Sequence, residues 1–386
     1  MKIKRIEYQD QEYEWKIETL ELLPNLTLLV GGSGAGKTLI LKSILNLKKI
    51  ANGESLNGVK WDVWFSAENG ANYQWKGEFE TQKDLFIDQS DNEKGESDIG
   101  EDEFNILEEF LYKDNKEIIR RHSQEIFFND VKTPKLSPSQ SIIELFQQEE
   151  DVAPAKENLD KIIFSDSDRT TKGVYGIPPA IFKKHENSSL SSIQNSDLPV
   201  SIKLSLIYRY LPEVFKKIKN KFIEIFPQVE DIKIDPLSRK QIPIALAQFL
   251  NESTFVSLKE KGVGNWIIQD NISSGMYKTL IYLSELFLVP EGSVILIDEF
   301  ENSLGVNCID SVTDLILENR NSQFIITSHH PYIINNISPA FWKIIISRGG
   351  LITAKNPEYF HISKSRQKAF LDLINVLEDY YESIED

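Results

Sequence analysis

The sequence predicts an α/β fold built around a glycine-rich loop, and three observations carry that prediction. A short apolar run, Asn25-Leu-Thr-Leu-Leu-Val30, leads into Gly31-Gly32-Ser33-Gly34-Ala35-Gly36-Lys37-Thr38, after which Leu39, Ile40, Leu41, Ile44 and Leu45 repeat at helical spacing. A second apolar run, Val294-Ile-Leu-Ile297, ends on Asp298-Glu299. The first third of the chain alternates apolar and polar residues, whereas the middle repeats with the period of a helix.

Taken in order, Ile3, Ile6 and Tyr8, then Tyr13, Trp15 and Ile17, predict two antiparallel strands ahead of the glycine-rich loop. Beyond the loop helix, strand-like pieces follow at Trp61 to Phe65, Tyr73 to Phe79, Ile106 to Tyr112, Glu117 to Arg120 and Glu125 to Phe128. Residues 1–136 therefore read as a β-rich N-terminal lobe that contains the loop. Residues 137–228 read as a mainly helical insertion, with Ser141 to Gln148 and Ser201 to Phe226 periodic and Pro212 starting a new helix. Within it, residues 165–200 are rich in Ser, Asp, Asn and Pro and predict an irregular loop. Residues 229–386 form the C-terminal part. Alternation at Val229 to Ile234 and Phe255 to Leu258 precedes a compact α/β series. Its predicted parts are a helix from Met276 to Phe287, the strand Val294 to Ile297, a helix from Asn307 to Leu317 and the strand Gln323 to Ile326. A hairpin at Gly349-Gly350 and a terminal helix from Ser363 to Tyr381 complete it.

The loop matches GxxxxGK[ST], which points to a nucleotide phosphate. Its glycines let several N–H groups aim at one anion, and the helix behind adds its positive end. Lys37 is expected to reach the terminal phosphates and Thr38 to ligate Mg²⁺. A strand of branched apolar residues with two acids at its C-terminal end belongs where open α/β sheets place ligands. Asp298 is expected to hold Mg²⁺ or its water shell, and Glu299 to take a proton from an attacking water.

Composition narrows the field. No apolar run is long enough to span a membrane, and Met1-Lys-Ile-Lys-Arg-Ile lacks a signal peptide's apolar stretch, so a cytoplasmic protein is expected. The single cysteine, Cys308, excludes an internal disulfide and reads as a small core residue. A net charge of −16 argues against a uniformly nucleic-acid-binding surface. That charge is uneven: from Asp88 to Glu109 ten acids face one lysine, and residues 88–103 read as a mobile loop.

Further motifs give the chain a family resemblance. Ile272-Ser273-Ser274-Gly275-Met276 is similar to the ABC signature LSGGQ, with Ser274 and Met276 in place of its Gly and Gln. Phe300-Glu301-Asn302-Ser303-Leu304 occupies the D-loop position, and Thr327-Ser328-His329-His330-Pro331 follows a strand as the switch histidine does. With the P-loop and the acidic strand, these motifs resemble ABC-type ATPases of the overcoming-lysogenisation-defect branch. That branch includes anti-phage relatives and is akin to the SMC and RecF repair ATPases. The likeness covers roughly residues 1–60 and 265–345 in motif order and spacing.

The resemblance implies an ABC-type P-loop ATPase with a C-terminal RecA-like lobe, and ATP and Mg²⁺ as cofactors. It also implies a sandwich of two chains in which Ser273, Ser274 and Gly275 of one meet the γ-phosphate held by the other. His329 would contact that phosphate, ahead of its neighbour His330, and Gln140 is the candidate for the family's Q-loop glutamine. A hairpin and a helix use up the residues after His330, so no TOPRIM-type nuclease domain is expected. The effector, a nuclease or toxin, would then be separately encoded.

The remaining candidates have simpler readings. Asp166-Ser-Asp168 reads as a solvated turn, and His122, His185 and His361 as structural. Lys216, Lys217, Lys219 and Lys221 read as the wet face of an amphipathic helix, while remaining the best candidates for contact with nucleic acid or an acidic partner. The function expected first is an ATP-driven sensor or switch in phage defence, triggered by nucleic acid or a phage product. A RecF-like repair clamp that binds DNA directly is second, and a transporter's nucleotide-binding subunit third.

Overall fold

The computed structural model describes residues 1–82, 103–123, 125–165, 178–236, 254–303, 306–319 and 321–385. Most of the expected acidic loop at 88–103, Asp166-Ser-Asp168 and Leu304 lie outside them. The chain forms two compact units. One comprises Met1–Phe164, Gly292–Asp298 and Arg320–Asp386, the other Ser165–Glu291 and Glu299–Asn319.

The first unit opens with β1 (Lys2–Asp10), β2 (Trp15–Glu21), β3 (Leu26–Val30) and α1 (Lys37–Ala51). There follow β4 (Val59–Ser66), β5 (Asn72–Phe79), β6 (Ile106–Lys113), β7 (Lys116–His122), β8 (Glu125–Phe128), β9 (Val131–Lys132), α2 (Ile142–Leu145), α3 (Ala153–Asp160) and β10 (Ile162–Ser165). The second unit takes α4 (Pro179–Lys184), α5 (Leu190–Gln194), α6 (Val200–Tyr210), α7 (Pro212–Ile225), β11 (Val229–Pro236), β12 (Thr254–Glu260), β13 (Ile267–Ile268) and α8 (Ser274–Leu288). The chain returns to the first unit for β14 (Val294–Ile297) and gives the second α9 (Val306–Glu318). It ends in the first with β15 (Gln323–Thr327), α10 (Pro331–Asn336), β16 (Trp342–Arg348), β17 (Leu351–Lys355) and α11 (Arg366–Glu385).

Among the described residues, the first unit holds one 14-stranded sheet in the order β10-β14-β15-β3-β16-β17-β2-β1-β4-β5-β6-β7-β8-β9. Strands β14, β15, β3 and β16 run parallel, and every residue of the first three is buried. Cover on both faces is why these strands read as unbroken apolar runs. From β2 onward neighbouring strands are antiparallel, and burial alternates cleanly: Val59, Trp61, Val63 and Phe65 on β4 point inward, as do Tyr73, Trp75 and Phe79 on β5. The Trp61 and Trp75 rings meet edge-on at 5.2 Å.

A buried ion pair ties this lobe to α2. Glu109, fully enclosed on β6, accepts from Trp75 Nε1 at 2.8 Å, Ser141 Oγ at 2.6 Å and the Ile142 N–H at 2.9 Å, with Arg121 Nη1 at 3.7 Å. Three donors and a guanidinium for one carboxylate answer the cost of burying it; removing a partner of such a pair typically costs about 3–5 kcal/mol.

Two regions differ from the sequence reading. The periodic stretch Ser141 to Gln148 yields a single helical turn, capped by Ser141 Oγ on the Ile143 N–H, and a second helix, α3, starts after it on Ala153-Pro154. Within 178–200, where an irregular loop was expected, α4 begins on Pro179 and α5 is capped by Ser189. The Pro and Ser that suggested a loop are the residues that start short helices.

Candidate functional site

The glycine-rich loop leaves the C-terminal end of β3 and enters α1 at Lys37. Gly36 caps the helix with a left-handed backbone (φ 92°), and a Cβ there would lie 2.5 Å from Ile352 Cδ1. A Cβ on Gly31 would meet the Ile345 carbonyl oxygen at 2.5 Å. Both positions therefore need glycine. Ser33 and Gly34 are exposed and Ala35 is buried, which anchors the loop at one point and leaves its crest open. Lys37 Nζ donates to the Gly31 and Gly32 carbonyls at 2.9 Å each, which holds the ammonium over the loop.

Strand register brings the acidic strand to this loop. Ile297 lies opposite Ile326, and Ile326 opposite Leu28, so Asp298, Thr327 and Leu29 share the next row of the sheet. There Thr38 Oγ1 donates to Asp298 Oδ2 at 2.8 Å and Thr327 Oγ1 to Asp298 Oδ1 at 2.6 Å. A hydroxyl and a half-buried carboxylate converging at the start of α1 are hard oxygen donors. They suit Mg²⁺, which takes one or two protein oxygens and completes its octahedron with water and phosphate. Thr38 and Asp298 would hold that ion.

The other predicted residues fall as follows. Glu299, the first residue of the second unit's last segment, is exposed with φ 46°. Ser273 caps α8, its Oγ accepting from the Met276 N–H at 3.3 Å. Ser273 and Ser274 are exposed, and nothing lies within 4 Å of where a Gly275 Cβ would be. His329 is exposed just past β15, whereas His330 caps α10, its Nδ1 accepting from the Tyr332 N–H at 3.2 Å.

Gln140 is a correction. Its side chain lies beside Gly53, past the C-terminal end of α1, while Thr38 is in that helix's first turn. Fifteen residues of helix, roughly 22 Å, separate the two ends. Of the four lysines on α7, Lys219 pairs with Asp231 at 3.0 Å and Lys221 with Glu224 at 3.1 Å, while Lys216 and Lys217 are exposed. Among the described residues, no helix is long and apolar enough to cross a membrane.

The profile of the family described as "AAA domain, putative AbiEii toxin, Type IV TA system" matches residues 26–335, a span that contains the glycine-rich loop, Asp298 and Thr327. The chain belongs to this AAA domain family. No curated protein matches the sequence. Among solved structures, the AAA domain is similar to an SMC head bound to the C-terminal winged-helix domain of ScpA, at 13% identity and TM-score 0.48, over 92% of this chain and 97% of that one. It is also similar to the Pyrococcus furiosus Smc head with an extended coiled coil, at 13% identity and TM-score 0.47, over 98% and 99%. A third is the Thermotoga maritima SMC head, at 11% identity and TM-score 0.45, over 92% and 99%.

Thr327, in the first unit, and Asn302, in the second, had no role assigned from sequence. Thr327 is the second hydroxyl on Asp298. Asn302 contacts Glu299 through both its backbone and its amide. A threonine closing an apolar strand and an asparagine three residues after an acid are common, and only the register and the turn reveal what they touch.

Proposed function

We propose that the chain binds ATP with Mg²⁺ on the Gly31–Thr38 loop and hydrolyses it within a closed pair of chains. In this reading it serves in the cytoplasm as the switch subunit of an anti-phage defence system, controlling a separately encoded nuclease or toxin. The observation that carries the ATPase reading is the convergence of Thr38 and Thr327 on Asp298 beside the loop's lysine. The loop N–H groups and Lys37 would cradle the phosphates; Mg²⁺, held by Thr38 and Asp298, would offset their charge.

Glu299, one peptide bond beyond Asp298, would accept the proton of the attacking water. His329, exposed past β15, would sense the γ-phosphate. Ser273, Ser274 and Gly275, open at the N-terminus of α8, would complete the partner's site, with the helix's positive end facing the phosphate. The defence role draws support from the family's description, "AAA domain, putative AbiEii toxin, Type IV TA system".

The test is phosphate release by the purified chain with Mg²⁺, set beside Lys37→Ala, followed by plaque counts in cells carrying the chain with its neighbouring gene. Turnover that survives Lys37→Ala refutes the ATPase reading. Equal plaque counts for the parent and Lys37→Ala refute the defence role. Salt-dependent DNA binding by the isolated chain would instead favour the repair-clamp alternative.

A further inference from the structure

The turn that follows Asp298 is fastened at both ends. Glu299 sits in the left-handed backbone region, which a residue with a Cβ enters at a cost (φ 46°), and Phe300–Ser303 form a single 3-10 turn behind it. Phe300 is fully buried, and its ring meets that of Tyr282 on α8 edge-on at 5.9 Å. Asn302 then reaches back to Glu299 twice. Its N–H donates to the Glu299 carbonyl at 2.8 Å, and its side-chain amide donates to Glu299 Oε2. Almost any residue could supply the first bond. The second needs a donor on a stem of this length.

We propose that Asn302 is a positioning residue that aims the Glu299 carboxylate. The proposal rests on Glu299 being the base in the function above. Both side chains are exposed, and a glutamate on an exposed turn has several rotamers open to it. An amide donor three residues on favours the rotamers that bring the carboxylate to it. Phe300 fixes the turn from which both side chains project, so the pair is carried on a rigid base. Misplacing a reacting group by about 1 Å costs roughly 100-fold in rate.

Steady-state ATP turnover of the full chain tests this with Asn302→Ala, Asn302→Asp, Asn302→Gln and Glu299→Gln. Asn302→Ala and Asn302→Asp should lower kcat by about 10- to 100-fold while KM stays within about twofold, because a base acts only once substrate is bound. Asn302→Gln keeps a donor on a longer stem and should recover part of the loss. Asp is nearly isosteric with Asn, so an unchanged melting curve separates a lost donor from a lost turn. If that variant does not fold, the Ala variant reads the same quantity. Parental kcat in the Ala and Asp variants overturns the proposal, as does a rise in kcat, which would make the bond a restraint. Turnover persisting in Glu299→Gln would defeat the base assignment itself, a separate failure from that of Asn302.

Discussion

Thr38 and Asp298 are 260 residues apart in sequence and share a 2.8 Å hydrogen bond, Thr38 Oγ1 donating to Asp298 Oδ2. Thr327 occupies the other carboxylate oxygen, so Asp298 joins the P-loop helix to two neighbouring strands. Asp298→Asn keeps the size but turns one acceptor into a donor that faces a hydroxyl. It should cost about 1–2 kcal/mol of stability and remove Mg²⁺-dependent ATP turnover by roughly 100-fold or more. Turnover titrated against Mg²⁺, with a denaturant midpoint for each protein, measures both.

Substitution of the loop glycines should separate shape from charge. In Gly31→Ala the new methyl meets a backbone oxygen of β16, which cannot rotate away. In Gly36→Ala it meets the tip of Ile352 and also occupies a left-handed backbone. Each should lower stability by about 1–3 kcal/mol and weaken ATP binding, although no charge has changed. Melting curves and nucleotide titration calorimetry on both variants check this.

Ser273→Arg places a long cation at the exposed start of α8. ATP binding by the isolated chain should be unaffected, while nucleotide-dependent pairing and turnover should disappear. Light scattering with a non-hydrolysable ATP analogue reads the pairing, and a variant that pairs as the parent does would remove the trans role of the signature.

Asp62 gives the β lobe a pH dependence. Burial raises its carboxyl from 3.8 to about 6, against the opposing hydrogen bonds from Gln74. A carboxyl that is harder to ionise when folded favours the fold while protonated, so its contribution is complete below about pH 4 and is lost as pH rises through about 6. Asp62→Asn stays neutral and should gain on the parent across that window by about 1 kcal/mol, allowing for solvent screening, and level off above it. Urea midpoints of the two proteins across the window decide the matter, and a gap that narrows with rising pH would contradict it.

How much was legible follows from the range of the forces involved. β14 matches the predicted span Val294–Ile297, and α7 starts at Pro212 as read, because a buried strand and a proline-led helix declare themselves within a few residues. α8 and α9 extend their predicted spans by only a residue or two at each end. The stretch at 178–200 misled because Ser and Pro serve loops and helix starts alike, whereas at 141–148 the helical period spans eight residues and only Ile142–Leu145 form a helix.

By itself the sequence determined the glycine-rich loop between a strand and a helix and the acidic end of the strand Val294–Ile297, since each depends on local chain geometry. Tertiary structure alone decided that β15 lies between β14 and β3, that Thr327 thereby bonds Asp298, and that Gln140 sits at the far end of α1. Strand order and register are set by hydrogen bonds between segments tens to hundreds of residues apart, and no local pattern records which segment will be the neighbour.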